Sequence, residues 1–253
     1  MNVQYKLTLS YEGTLYFGWQ KTQEGPSIEQ TLQLVLATIL QEPIELQAAS
    51  RTDAGVHALG QVVTFVCSKA LCTKKILVSL NQLLPSSIRC LDIEKISLDF
   101  HPTLSSFSKS YRYVVATQPI LSPFEHGLVW HFPHDCQIPI MESAAKQLIG
   151  THDFKAFTNQ KKGPHKDTVR TLFSIDIQPT DSGFFIDITG DHFLYKMVRN
   201  IVGTLCYIGA GKISLSALST ILKNKQRTQA GITAPASGLF LKNINYTTFC
   251  KEQ

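Results

Sequence analysis

Two hydrophobic periods alternate along this chain, and their order is the strongest constraint on its fold. Val3, Tyr5, Leu7 and Leu9 alternate with Gln4, Lys6 and Thr8, a period of two that predicts a strand with one buried face. Ser27 and Gln30 form a capping-box pair. The helix they open runs to about Gln41, with Ile28, Leu32, Val35, Leu36, Ile39 and Leu40 on one face. Residues 44–48 and 61–67 follow as strands. Thr73 is predicted to cap a helix that runs through Leu84 and is stopped by Pro85. Residues 88–96 form the next strand.

The remainder repeats this order loosely. Residues 107–116 read as a strand with Tyr111, Tyr113 and Val115 on one face, and residues 139–148 as a helix with Pro139 in its first turn. Residues 168–177 and 184–188 read as a hairpin around Pro179-Thr180-Asp181-Ser182-Gly183. Helices over 193–208 and 214–222 and a strand over 239–244 complete the set. Strand, helix, strand, strand, helix, strand is the ferredoxin-like order. The expected class is therefore α+β: two tandem ferredoxin-like halves, 1–105 and 106–253, sharing a mainly antiparallel sheet with a cleft where they meet.

Composition excludes several classes. Charged residues at 17% and hydrophobic residues at 43% describe a globular chain, not a disordered one. A net charge of +5 and a pI of about 8.8 permit a nucleic-acid partner without requiring one. The first ten residues alternate in polarity, unlike a signal peptide, and no run is apolar enough to span a bilayer. The six cysteines, at 67, 72, 90, 136, 206 and 250, form no C-x-x-C pair. A cytoplasmic protein with free thiols is expected, with neither a disulfide framework nor structural zinc.

Ala49-Ser50-Arg51-Thr52-Asp53-Ala54-Gly55-Val56-His57-Ala58 lies between two expected strands, where side chains are held but not used by a ladder. It carries a carboxylate at Asp53, a guanidinium at Arg51 and a turn-permitting glycine at Gly55. An Asp in Asp-x-Gly commonly does no more than hydrogen-bond its own turn. Here the octapeptide from Arg51 to Ala58 resembles the active-site loop of the TruA-type tRNA pseudouridine synthases. Tyr11-Glu12-Gly13-Thr14 with Tyr16-Phe17-Gly18-Trp19-Gln20 resembles the N-terminal motif of the same family, which usually has Asp in place of Glu12. Those aromatics can stack on bases or plug the end of a core. Further likenesses are Asn81 to Pro85, Tyr111-Arg112-Tyr113, Thr168 to Thr171, Met197 to Gly203 and Ala234 to Leu239, so the resemblance covers nearly the whole chain. One departure is Thr103 in Phe100-His101-Pro102-Thr103, where the family commonly has Arg; an RNA contact or loop support is affected there.

The resemblance implies the pseudouridine synthase fold and isomerisation of uridine to pseudouridine at positions 38, 39 and 40 of the tRNA anticodon stem-loop. It also implies a homodimer that needs no cofactor or metal. Asp53 would be the catalytic carboxylate, adding to the base or assisting at the ribose. Arg199 would pair with it and favour its charged form. Tyr111 would lie close to the target uracil, with Leu239 and Arg51 also on the substrate. Tyr113 is expected to pack in the core.

His192, Lys196, Arg199 and Gly203 recur along one face of the expected 193–208 helix, opposite the core face of Leu194, Met197, Val198, Ile201, Val202 and Leu205. The basic segment 157–166 is either a solvated loop or a phosphate-contacting one; Lys161, Lys162 and Lys166 within it, and Arg170 just beyond it, are the candidate contacts. Gly209-Ala210-Gly211-Lys212 lacks phosphate-loop spacing and is expected to end a helix. His57 is expected to pack the loop and not to bind metal.

Two readings of other classes stand beside this one. A non-catalytic RNA-binding protein would use a ferredoxin-like sheet with aromatics. A glycoside hydrolase would need a second carboxylate near Asp53, and no matched motif supplies one.

Overall fold

The computed structural model describes residues 2–159 and 167–246. The chain forms two compact units, residues 1–107 with 240–253 and residues 108–239.

The first unit contains β1 (Val3–Tyr11), α1 (Ile28–Leu40), β2 (Leu46–Ala48), β3 (His57–Cys67), α2 (Thr73–Leu83) and β4 (Ile88–Ile96). β1 lies between β3 and β4, antiparallel to both, and β2 adds antiparallel to β3. Tyr5, Leu7 and Leu9 of β1 are buried as their alternation predicts, and Tyr11 joins them, but Val3 is only half-buried and Gln4, expected on the other face, is buried. Tyr5 stacks on its cross-strand partner Phe65 at 5.6 Å. α1 buries Ile28, Leu32 and Leu36 of its expected face, while Val35, Ile39 and Leu40 are half-buried. Its cap is the expected one, the Ser27 hydroxyl accepting from the Gln30 amide at 3.2 Å. Truncating a leucine buried this fully to alanine costs about 2–5 kcal/mol.

The second unit contains β5 (Ser106–Ala116), β6 (Trp130–His131), α3 (Ile138–Leu148), β7 (Gly150–Asp153), β8 (Val169–Thr180), β9 (Gly183–Gly190), α4 (Met197–Gly209) and α5 (Ala217–Asn224). β9 lies between β5 and β8, β7 flanks β8, and all three pairings are antiparallel. The two-residue β6 joins β5 in parallel. α4 buries Met197, Val198, Ile201, Val202 and Leu205 as expected, but it also buries Asn200, Gly203, Thr204, Cys206 and Ile208, so it is enclosed on most sides and not on one face alone. The last strand, β10 (Leu239–Tyr246), pairs in parallel with β3 at His57 and Ala58. The class is mixed α+β with mainly antiparallel pairing.

Several expectations need correction. α4 begins at Met197, not at Phe193, because Lys196 is left-handed at φ 58° and ψ 14°. The Tyr195 carbonyl is taken by the Thr158 hydroxyl at 3.1 Å and by the Asn159 amide, so it cannot serve a helical ladder. His192 and Lys196 therefore precede the helix, and the supposed cationic stripe is reduced to Arg199. Thr73 does not cap α2: Cys72 holds that position in an extended conformation, without a side-chain bond, and Thr73 is the first helical residue. α2 stops at Leu83, since Leu84 before Pro85 is extended. β3 begins at His57 and not at Gln61. β6 and β7 were not anticipated.

Candidate active site

The Asp53 loop is braced from both sides by residues of its own unit. Gln61 of β3, wholly buried, donates to the Ser50 carbonyl at 2.6 Å. The Ala49 amide donates to the Val62 carbonyl at 2.9 Å. The Val56 amide donates to the Asp53 carbonyl at 3.1 Å, closing a turn in which Gly55 takes φ +76°. Asp53 sits half-buried at this turn, and Arg51 is exposed.

The aromatic stretch after β1 forms the opposite wall. The Tyr11 phenol and the Thr52 hydroxyl are 2.8 Å apart. The Trp19 amide donates to the Thr52 carbonyl at 3.0 Å, and the Gly55 amide to the Tyr16 carbonyl at 3.3 Å. Tyr16 and Trp19 are buried, so of the two roles open to these aromatics they take the core one, while Phe17 is 47% exposed. The Gly13 amide donates to Nδ1 of the buried His57 at 3.0 Å. Glu12 Oε1 lies 3.9 Å from the same nitrogen. His57 packs the loop as expected, stacking on Phe240 at 4.6 Å.

Thr103, the residue that departs from the family pattern, supports the start of the same loop. Its hydroxyl donates to the Ala48 carbonyl at 3.0 Å and leans toward that of Ala49 at 3.4 Å. His101 holds Thr103 in place, Nδ1 accepting from the Thr103 and Leu104 amides, each at 3.2 Å.

The second unit carries the other expected residues. Tyr111 on β5 is 7% exposed and meets Phe193 edge-on at 5.1 Å. Tyr113 is core, its hydroxyl donating to the Pro235 carbonyl at 2.7 Å; burial raises its pKa well above the ordinary value. Arg112, on the other face, is bidentate to Asp187 at 2.8 Å and lies over the Phe185 ring.

Arg199 is half-buried in the first turn of α4, and its Nε donates to the Ala234 carbonyl at 2.7 Å. Leu239, the first residue of β10, is buried. Arg170 on β8 has an ion pair with Asp167 at 3.6 Å, and its Nε is buried without a hydrogen-bond partner. Lys109 is 6% exposed on β5, and burial pushes its pKa down to about 8. Lys161, Lys162 and Lys166 lie outside the described residues. Among the described residues no group of three His, Cys, Asp or Glu side chains is arranged to hold a metal ion.

Asn200, Arg227 and Thr233 were not singled out from sequence. Asn200 is wholly buried, and its side chain donates to the Phe157 carbonyl and to Asn159 Oδ1, each at 2.7 Å. Its Oδ1 accepts from Arg227 Nη2 at 2.8 Å and from the Thr233 hydroxyl at 2.7 Å. One signal was available: Asn200 interrupts the apolar run from Met197 to Leu205 beside Arg199.

Comparison with known proteins identifies the family. The family described as tRNA pseudouridine synthase matches residues 8–103 and 144–247. A relative named tRNA pseudouridine synthase A 2, from Protochlamydia amoebophila (strain UWE25), is 47% identical over 244 residues, 95% of this chain and 93% of its own length. A tRNA pseudouridine synthase A from Methylacidiphilum infernorum (isolate V4) is 38% identical over 96% of both chains. Another, from Thermoanaerobacter sp. (strain X514), is 39% identical over 95% of this chain and 98% of its own. With most of its length matched by the family and by these relatives, the chain belongs to the tRNA pseudouridine synthases.

Proposed function

We propose that this chain isomerises uridine to pseudouridine in tRNA, with Asp53 as the catalytic carboxylate. The observation that carries the reading is the Asp53 loop itself: a half-buried carboxylate on a turn braced by Tyr11, Trp19 and Gln61 in a chain of this family. The reaction breaks the N1–C1′ bond, turns the base and joins C5 to C1′. The C5 proton leaves and N1 gains one, so no electrons are exchanged and the net change is an isomerisation. What the protein must supply is an anion beside an extruded nucleotide. Asp53 supplies it, by adding to the base or by stabilising positive charge at the ribose.

Arg199 pairs with that anion and Tyr111 lies against the uracil, with Leu239 as a further wall. Extruding the base costs a few kcal/mol. Phosphate contacts from Arg51, Lys161, Lys162, Lys166 and Arg170 offset this, and the positive net charge of the chain favours them. The target is the anticodon stem-loop, at uridines 38, 39 and 40, and the enzyme acts as a cytoplasmic homodimer with neither metal nor cofactor. Both units are read as ferredoxin-like. The order β4-β1-β3-β2 in the first unit supports this.

The test is to incubate the protein with unmodified tRNA transcripts and map pseudouridine. Conversion confined to the anticodon stem-loop is expected. Tight tRNA binding without conversion would leave a non-catalytic RNA-binding protein.

A further inference from the structure

Arg199 is held by a strap, residues 231–234, that lies along α4. Backbone and side chain tie the two together at one point: Arg199 Nε donates to the Ala234 carbonyl at 2.7 Å, and the Ala234 amide donates to the Arg199 carbonyl at 3.1 Å. Arg199 is thus tied to Ala234 through both its side chain and its own carbonyl. One turn further along, the strap is pressed onto the helix. A Cβ on Gly203 would stand 1.9 Å from the Ile232 carbonyl oxygen. The Gly231 amide donates to the Thr204 hydroxyl at 3.0 Å, which itself donates to the Asn200 carbonyl at 2.7 Å.

Arg227 closes this arrangement. Its Nη1 donates to the Gly231 carbonyl at 2.7 Å. Its Nη2 donates to Asn200 Oδ1 at 2.8 Å and to the Thr233 hydroxyl at 2.9 Å. One guanidinium therefore grips the strap at two points and the helix at the residue next to Arg199. Burial holds the Arg227 pKa below its ordinary value, so keeping a cation here is costly. The rigid, five-donor fork is what this geometry uses.

We infer that Arg227 is a positioning residue for Arg199, acting through Asn200 and the 231–234 strap. This rests on the role proposed above for Arg199. Loosening the strap leaves the Arg199 side chain present but misplaced, so the chemical step slows while tRNA still binds. A shift of about 1 Å in a reacting constellation can cost about 100-fold in rate.

The experiment measures single-turnover pseudouridine formation, tRNA affinity at several salt concentrations and thermal melting. It uses R227Q, R227K, R199A and the double variant R227Q/R199A. Expected for R227Q is a rate loss of about 10- to 100-fold with unchanged affinity and salt slope, and in R227K a partial recovery. The double variant should be no slower than R199A alone, because Arg227 acts only through Arg199.

A normal R227Q rate beside a crippled R199A would overturn this inference alone. A normal R199A rate would remove the role of Arg199, and this inference with it. Losses that multiply in the double variant, or a lowered salt slope in R227Q, would make Arg227 an independent group or a phosphate contact. Should R227Q melt early, Thr233→Val and Thr233→Ser decide the matter. Val removes the hydroxyl bridging Arg227 and Asn200 and should slow the rate, whereas Ser should restore it. Equal rates in both would overturn the proposal.

Discussion

The Tyr11 phenol and the Thr52 hydroxyl, 2.8 Å apart and both buried, join the end of β1 to the residue before Asp53. Gln61 also reaches the Tyr11 oxygen, at 3.4 Å. Tyr11→Phe keeps the ring on Trp19 and removes only the oxygen. It should lower stability by about 1 kcal/mol, the usual worth of such a bond. The turnover loss should exceed the binding loss, since the position of Thr52 sets that of Asp53. Denaturant titration and single-turnover rates check this. A variant with full activity would show that the loop is held well enough without the phenol.

Thr103 makes a similar connection from the far end of the first unit. Thr103→Val is nearly isosteric and leaves the Ala48 carbonyl without the hydroxyl it accepts from. The expected cost is about 1–2 kcal/mol, and Thr103→Ser should recover most of it. Slower exchange of amides in residues 49–56 in wild type than in the Val variant would tie the cost to this loop. Equal exchange would separate Thr103 from the Asp53 turn.

Lys109 gives a pH signature. Its folded pKa is lowered, from 10.5 to about 8, by burial. Below about pH 8 the group is charged in both folded and unfolded chains, so the full burial cost weighs on the fold. Between about 8 and 10.5 the unfolded chain holds more protons than the folded one, so stability rises with pH. The cost is gone above the unfolded pKa. A shift of this size corresponds to roughly 3–4 kcal/mol at most. Comparing Lys109→Met with wild type by denaturant unfolding at pH 7 and pH 10 should show the Met variant ahead at pH 7. Its advantage should shrink at pH 10; a constant difference across that range would contradict the burial argument.

Local patterns made much of the first unit legible: the Ser27 cap, the alternation in β1 and the turn at Gly55 are each encoded within a few residues. The misplaced boundaries have distant partners. β3 extends back to His57 because Tyr11 of β1 pairs with Ala58 and because β10, far later in the chain, pairs with His57 and Ala58. α4 starts late because Thr158 and Asn159 take the Tyr195 carbonyl. No window around either boundary contains those partners. The same reason hid Arg227, which looks like an ordinary loop arginine until Gly231, Asn200 and Thr233 are brought to it. The Asp53 loop stands out in sequence because its residues are contiguous, whereas the Thr103 support depends on a contact to β2 that no local pattern records.

Asp53→Asn separates chemistry from architecture most directly. The loop is fixed largely through backbone groups and neighbours: the Asp53 carbonyl receives the Val56 amide, Thr52 is held by Tyr11 and Trp19, and Ser50 by Gln61. Asn is nearly isosteric, so those bonds persist and the melt should stay within a few degrees of wild type. Asn carries no anion, however. It can neither add to the base nor stabilise positive charge at the ribose, so both routes to pseudouridine close together. Tritium release from C5-labelled uridine in tRNA measures the loss directly, because that proton leaves only if C5 has bonded to C1′. Release should vanish while tRNA affinity changes little, since phosphate contacts supply most of it. Near-normal release would remove Asp53 from the chemistry. A lost signal accompanied by a collapsed melt would return it to the bland role of an Asp that only holds its own turn.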